Sequence, residues 1–175
     1  MKKTILLMLL AVIVVGVRAQ TEENVHYENG IVTIDEVVQA NGRTQKQMFD
    51  NAILWVNEIF ANPKSVIKSR EETIGLLTLN IMIPQGKDET NPSSWLDVSL
   101  KLQFKDGRYK YEINNIWLRW CESFHSYGAK DEKYGDWIAH ISSEARTTWK
   151  SDLLKDIKPV IDKMKSNIMS TANDW

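Results

Sequence analysis

One stretch of this sequence, two alternating runs joined by Asp-Gly at positions 106–107, constrains the fold more than any other. Apolar and polar residues alternate over 94–105 and again over 108–113. An Asp-Gly pair between two such runs is a strong signal for a β-hairpin with a two-residue loop. Because the loop length determines the register, we expect Phe104 to lie opposite Tyr109 in an antiparallel pair.

This register divides the hairpin into two faces. The apolar side chains that share one face are Leu96, Val98, Leu100, Leu102, Phe104, Tyr109, Tyr111 and Ile113. The other face is polar, and on it Lys101 is expected opposite Glu112, a favourable cross-strand pair. We therefore expect a core-facing side and a water-facing side, with no aromatic side chain on the water-facing side.

The pattern changes at 116–120, where even-numbered and odd-numbered positions both carry apolar residues. A strand that is covered on both faces would produce such a run. A β-bulge would produce it too, because one extra residue shifts the alternation by one position. The sequence leaves these two alternatives open.

Residues 1–19 have the pattern of a secretory signal peptide. Lys2 and Lys3 precede an apolar run over 5–15, and a small-residue cleavage pattern ends at Ala19. The run is too short to span a bilayer, although an uncleaved membrane anchor is the alternative. We expect an exported protein, periplasmic or secreted, that begins at Gln20 and has no stable membrane insertion after cleavage.

Cleavage would leave 156 of the 175 residues and would change the formal net charge from −1 to −4. This length suits one domain, and the acidic balance argues against nucleic acid as a partner. Cys121 is the only cysteine, so no internal disulfide can form. We expect a flexible lead over 20–30 and a single domain over 31–171 that depends on packing.

Hydrophobic periodicity predicts the remaining elements. Strands are predicted at 31–39, 65–70 and 73–83, and helices at 44–61 and 149–169. Thr44 and Gln47 form a capping-box signature at the first helix, and Pro159 predicts a kink in the last one.

Residues 121–143 are treated as an irregular insertion, with a short helix at 136–145. The predicted fold is α+β with two layers: a mostly antiparallel five-stranded sheet carries two helices on one face, in the order β-α-β-β-β-β-α.

Four segments of the chain also resemble a known family. They are Val37-Val38-Gln39, Met48-Phe49-Asp50-Asn51-Ala52-Ile53-Leu54-Trp55, Ser65-Val66-Ile67 and the hairpin residues 100–111. These segments resemble an exported family of Bacteroides-type bacteria described as domain of unknown function 4468, with a TATA-binding-protein-like (TBP-like) fold. The resemblance implies this fold and a cell-envelope setting. It supplies no catalytic residues, because the family has no assigned activity.

Two pairs of residues have a spacing that could bind a metal ion. Glu122 and His125 are three residues apart, and His140 and Glu144 are four apart. On helices each pair would point in one direction, and two such pairs could hold a metal. The alternative is two loop histidines beside unrelated carboxylates, and we predict no cofactor.

Cys121 with His125 or His140 could form a nucleophile–base pair. No family-specific signature surrounds Cys121, and a packed free thiol is the simpler interpretation. A serine hydrolase motif is also absent from the sequence.

Three aromatic residues of the irregular segment are the candidates for binding. Tyr127, Tyr134 and Trp137 alternate with Gly128 and Gly135, and aromatic side chains on glycine-containing loops are frequent in recognition surfaces. The alternative is that the same side chains fold inward and cover the end of the sheet.

The sequence therefore favours an uncharacterised exported cell-envelope protein that acts as a non-enzymatic binding or accessory domain, with an unknown envelope ligand or protein as its partner. One alternative is a metal-dependent or Cys/His enzyme centred on 121–144. A second is a structural subunit of an envelope assembly.

Overall fold

An antiparallel sheet is the largest element of the computed structural model, which describes residues 24–85, 94–121 and 129–170. The strands are β1 (Asn24–Glu28), β2 (Ile31–Gln39), β3 (Ile67–Glu71), β4 (Leu76–Gln85), β5 (Ser94–Lys105), β6 (Arg108–Cys121) and β7 (Ala129–Lys133). The helices are α1 (Gln45–Ile59), α2 (Pro63–Val66), α3 (Tyr134–His140) and α4 (Ala145–Ile168). A single 3-10 turn at Glu72–Ile74 precedes β4. The predicted signal peptide at 1–19 lies outside the described residues.

The strand order is β1-β2-β6-β5-β4-β3, and every neighbouring pair is antiparallel. β7 also pairs with β6, through positions 117–121 of that strand. β2 pairs with the first part of β6, up to Ile113. Because β5 occupies the opposite edge along almost the whole of β6, β2 and β7 follow each other along one edge.

The prediction of an α+β fold with an antiparallel sheet and helices is confirmed, but the numbers of five strands and two helices are wrong. The described residues contain seven strands and four helices. β1 lies in the predicted flexible lead, and β7 and α3 lie in the predicted irregular insertion. β1 is an edge strand whose side chains are mostly exposed, and β7 consists largely of charged residues. Neither strand has the alternating apolar residues from which strands were predicted. Both are held in the sheet by hydrogen bonds between backbone groups.

The hairpin has the predicted register. Phe104 lies opposite Tyr109, and Lys101 lies opposite Glu112. Its apolar face is buried against α1 and α4, which pack beside each other on that side of the sheet.

The run of mixed parity in β6 is explained by a bulge. Asp97 lies opposite Trp117 whereas Ser99 lies opposite Asn114, so β6 carries one extra residue between these pairs. Asn115 has a left-handed backbone there, with φ of 50°. After the bulge the even-numbered residues Ile116 and Leu118 face the helices and are buried.

Both long helices were predicted, with small differences at their ends. Thr44 and Gln47 form the complete capping box that begins α1. α4 begins at Ala145 rather than at 149, and the Ser142 hydroxyl accepts a hydrogen bond from the Ala145 backbone nitrogen at 3.2 Å. α4 continues past Pro159 as one helix. No described helix is long and apolar enough to cross a membrane.

The hairpin loop lies against the N-terminus of α1, and this region is called the tip end. The Asp106 carboxylate accepts a hydrogen bond from the Gln45 backbone nitrogen at 2.7 Å. The Gly107 nitrogen donates to the Arg43 carbonyl at 2.8 Å. The loop therefore satisfies a backbone donor that the first turn of a helix leaves without a partner.

The C-terminus of α4 is anchored at the same end. The buried Asn51 amide donates to the carbonyls of Ile168 and Ser170, both at 3.0 Å. The Arg43 guanidinium donates to the Met169 carbonyl at 3.0 Å. These bonds supply donors to backbone carbonyl groups that have no donor within the helix at its C-terminus.

A buried ion pair joins the sheet to α4 close to the tip end. Glu36 is 5 % exposed, and its carboxylate accepts hydrogen bonds from Lys165 and from the Tyr111 hydroxyl. The Lys165 ammonium also lies 5.2 Å from the centre of the Tyr111 ring. The charge of Glu36 is thus compensated inside the core.

Candidate functional site

A cavity of about 490 Å³ opens at the other end of the sheet, where β4, β5 and β6 meet α3 and the first half of α4. This region is called the far end, and its cavity is called the end pocket. The residues that line the end pocket are Gln85, Ser94, Leu118, Trp120, Tyr134, Trp137, Asp152 and Asp156. They come from five separate elements of the fold.

The bulge in β6 supplies one wall of the end pocket. Because it shifts the alternation at Asn115, Leu118 and Trp120 lie on the helix side of the sheet. Without the extra residue both side chains would belong to the opposite face. The irregularity therefore turns one aromatic ring towards the cavity.

A close backbone contact holds α3 beside this wall. A Cβ atom on Gly135 would lie 1.8 Å from the Gly30 carbonyl oxygen, which is closer than any side chain permits. The Tyr27 hydroxyl donates a hydrogen bond to the Gly135 carbonyl at 3.2 Å. Glycine at position 135 thus lets α3 rest on the turn between β1 and β2.

Tyr134 and Trp137 project from α3 to form the second wall. Their ring centres are 5.0 Å apart with planes inclined at 47°, and the Tyr134 ring also contacts Trp149. Tyr134 is 3 % exposed, whereas Trp137 is only partly buried. Burial raises the pKa of the Tyr134 phenol, and the nearby charges of Asp152 and Asp156 raise it further. The hydroxyl therefore remains neutral at physiological pH.

Two carboxylates of α4 form the third wall. Asp152 and Asp156 are four residues apart and hence lie on one side of the helix. The Gln85 amide donates a hydrogen bond to Asp156 at 2.9 Å. Within the described ranges neither carboxylate belongs to an ion pair, and the lining contains no Lys, Arg or His. The end pocket is consequently negative and partly aromatic.

The predicted binding residues have separate outcomes. Tyr134 and Trp137 meet in the end pocket, whereas Tyr127 lies outside the described residues. Tyr134 also folds inward and joins the core, as the alternative interpretation proposed. A role in ligand binding remains a prediction for all three residues.

Sequence reasoning missed six of the eight lining residues, among them Asp152, Asp156 and Trp120. The spacing of Asp152 and Asp156 was visible in the sequence, but no local pattern shows that their side of α4 borders a cavity. Trp120 was noticed only as part of an apolar run. Its direction depends on the bulge.

The predicted metal ligands are not brought together among the residues that the structure describes. Glu122 and His125 lie outside those residues. His140 ends α3 and pairs with Glu132 at 3.1 Å, while Glu144 precedes α4. The helix break between them removes the spacing relation on which the prediction depended. No described group of three or more His, Cys, Asp or Glu residues could hold a metal ion.

The polar face of the sheet differs from the prediction at the far end. Trp95 lies opposite Arg119, and Trp117 lies opposite Asp97, so two aromatic side chains share this face. The expectation that it carries no aromatic residue is wrong for two reasons: Trp95 has the same parity as Asp97 on β5, and the bulge in β6 turns Trp117 to this face. Lys133 lies over the Trp117 ring at 5.7 Å, and Arg119 contacts Asp97 at 2.7 Å. These side chains are thus engaged with one another.

With the fold and the pocket described, the chain can be compared with known proteins. Residues 35–118 match the family described as domain of unknown function (DUF4468) with TBP-like fold. This segment belongs to the DUF4468 family. The family resemblance drawn from the sequence is therefore confirmed.

Two crystal structures share the fold. One is a TBP-like protein from Parabacteroides distasonis ATCC 8503, with a TM-score of 0.65, 12 % identity, and coverage of 82 % of this chain and 96 % of that one. The other is a DUF4468 family protein from Bacteroides ovatus ATCC 8483, with a TM-score of 0.62, 14 % identity, and coverage of 86 % and 94 %. No curated protein matches the chain significantly.

The DUF4468 segment does not contain the whole end pocket. It includes the tip end, Gln85 and Leu118, but it ends before α3 and α4. The residues that give the pocket its charge, and all three of its aromatic rings, therefore follow the matched segment.

Proposed function

We propose that this protein is an exported, non-enzymatic binding domain of the cell envelope and that the end pocket holds its ligand. The observation that carries the proposal is the convergence of Trp120, Tyr134 and Trp137 with two carboxylates around one cavity. Ligand sites are typically clefts of about 300–1,000 Å³ with apolar walls and a few placed polar groups. The end pocket, at about 490 Å³, has this size and this composition.

Binding is favoured over catalysis by the chemistry of the lining. The lining residues offer ring faces, carboxylate oxygens and one amide. They include no His, Cys or Lys, so Asp152 and Asp156 are the only general bases that the lining offers, and Ser94 is its only hydroxyl nucleophile besides the Tyr134 phenol. The arrangement can hold a molecule through stacking and polar contacts.

A screen by nuclear magnetic resonance tests the binding role. The purified protein would be titrated with neutral saccharides, amino-acid amides and organic amines while the backbone amide signals are recorded. We expect at least one class to shift signals of the lining residues without being converted to product. Absence of any shift in the lining, or steady turnover of a probe, would overturn the proposal.

Three tryptophan variants make this screen specific. Trp137→Ala should abolish the shifts in the lining, because it removes a partly buried ring that forms one wall of the end pocket. Trp117→Ala removes an equal ring from the polar face and should leave the shifts unchanged. Trp137→Phe keeps an aromatic ring and more of the packing, so we expect it to remain folded and to retain part of the shifts. It therefore separates loss of the ligand contact from loss of folding.

Export is supported by the signal-peptide pattern of residues 1–19. It can be tested by expressing the whole chain in a bacterium and determining the N-terminus of the product in each cell fraction. We expect a product that begins at Gln20 in the periplasm or the medium. An intact product in the cytoplasm would contradict export without affecting the binding proposal.

A further inference from the structure

The end pocket combines aromatic rings with negative charge, and this combination restricts the chemistry of its ligand. Asp152 and Asp156 face the cavity without a described basic partner, and the contact from Gln85 to Asp156 is from a neutral amide. Two carboxylates on the polar face of the sheet are paired with basic side chains: Asp97 with Arg119, and Asp35 with Lys110. The two carboxylates of the pocket therefore lack the kind of counter-charge that Asp35 and Asp97 have.

The aromatic rings show the same difference. Among the residues that the structure describes, four aromatic rings elsewhere carry a cation over the ring: Phe49 with Arg70, Tyr111 with Lys165, Trp117 with Lys133, and Trp149 with Lys150. Within the described ranges no such cation lies over Trp120, Tyr134 or Trp137. Ring faces attract cations, most strongly where water is excluded. The pocket thus has the walls of a cation site without a cation from the chain.

Resting on the proposed binding function, we propose that the end pocket binds an organic ammonium group. The partly buried rings of Trp120 and Trp137 offer surface to the alkyl-substituted nitrogen, and Tyr134, which is 3 % exposed, packs against Trp137 and supports its ring. Asp152 and Asp156 supply the opposite charge from one side of α4. A small inorganic cation would use the carboxylates but would gain little from the apolar surface of three rings. A neutral saccharide would use the rings but not the uncompensated charge.

Two cations and one neutral analogue test this inference. Choline represents a free quaternary ammonium, and Nα-acetyl-lysine amide represents the side chain of a peptide. The neutral tert-butyl analogue of choline has nearly the same shape without the charge. Amide signals of the purified protein would be followed during titration with each probe. We expect at least one cation to shift the lining and to bind roughly tenfold more tightly than the neutral analogue.

Charge variants on α4 identify the groups responsible. Asp152→Asn combined with Asp156→Asn should weaken cation binding roughly tenfold and leave the neutral analogue unaffected. Asp162→Asn is the matched control, because Asp162 lies on the same helix, is exposed and pairs with Lys158. It should change neither affinity. Preference for choline would indicate a small quaternary ammonium, and preference for the lysine amide would indicate a peptide.

Failure of this inference is distinguishable from failure of the binding function. If saccharides or the neutral analogue occupy the lining as tightly as the cations do, the ammonium inference fails and the binding role stands. The same conclusion holds if the double Asn variant binds the cations unchanged. If no probe of either panel shifts the lining, both proposals fail.

Discussion

The two ends of the sheet use polar groups in opposite ways. At the tip end, Asp106 accepts from the N-terminus of α1, and Asn51 donates to the C-terminus of α4. At the far end, Asp152 and Asp156 have no described basic partner, and a cavity lies in front of them. Because a charge without a counter-charge stabilises a fold little, the comparison separates a region that holds the structure together from a region whose carboxylates face a cavity.

The two ends also differ in how much of each lies inside the segment that matches the family. The DUF4468 segment contains the hairpin, α1 and hence most of the tip end. The helices that complete the end pocket lie after it. The residues of α3 and α4 that line the end pocket therefore lie outside the matched segment.

The largest effect is expected for Lys165→Met near the tip end. The substitution would leave the buried Glu36 carboxylate without its counter-charge, which typically costs about 3–5 kcal/mol in the free energy of unfolding. Urea unfolding followed by tryptophan fluorescence measures this loss. Combining Lys165→Met with Glu36→Gln removes the buried charge and should recover most of the stability. A single variant as stable as the wild type would show that the ion pair does not hold α4 in place.

A smaller loss is expected for Gly135→Ala at the far end. The new Cβ atom would meet the Gly30 carbonyl oxygen at 1.8 Å, so α3 must move, at a cost of about 2 kcal/mol. Amide signals of the end-pocket lining should shift as well. Gly42→Ala is the control: its φ is 81° but nothing lies within 4 Å of the added atom, so about 1 kcal/mol of backbone strain is expected. Equal losses from both variants would show that the close contact does not position α3.

The smallest effect concerns one tyrosine at each end, above pH 10. Burial raises the pKa of Tyr109 and Tyr134, and the charge of Glu36 adds to this at Tyr109. The unfolded value is about 10, so the folded state keeps these protons longer than the unfolded state does. Their contribution to stability is therefore complete below pH 10 and is lost as the pH rises towards the folded-state values.

Urea unfolding at about pH 9 and about pH 11 measures this slope. Tyr109→Phe and Tyr134→Phe should each flatten it. At neutral pH Tyr109→Phe should raise stability by up to about 1 kcal/mol, because the Tyr109 hydroxyl is buried without a described hydrogen-bond partner. An unchanged slope in both variants would mean that neither phenol is shielded from water.

Prediction from the sequence succeeded where the signal was local. The hairpin register follows from a two-residue loop and a period of two, and the capping box at Thr44 lies within one turn of chain. It failed for β1 and β7, whose polar side chains carry no periodic signal. Those strands exist because neighbouring strands offer backbone partners to them. Two of the three predicted binding aromatics do line the candidate site, whereas its carboxylates were missed.

The sequence by itself therefore determined the hairpin, both long helices, the α+β class and the family of residues 35–118. Only the tertiary structure decided between the two interpretations of 116–120, and only it placed Asp152 and Asp156 in front of Trp137. The physical reason is one of distance along the chain. Turn chemistry and hydrophobic periodicity act over a few residues, whereas a pocket is formed by residues from five elements that meet only when the chain has packed.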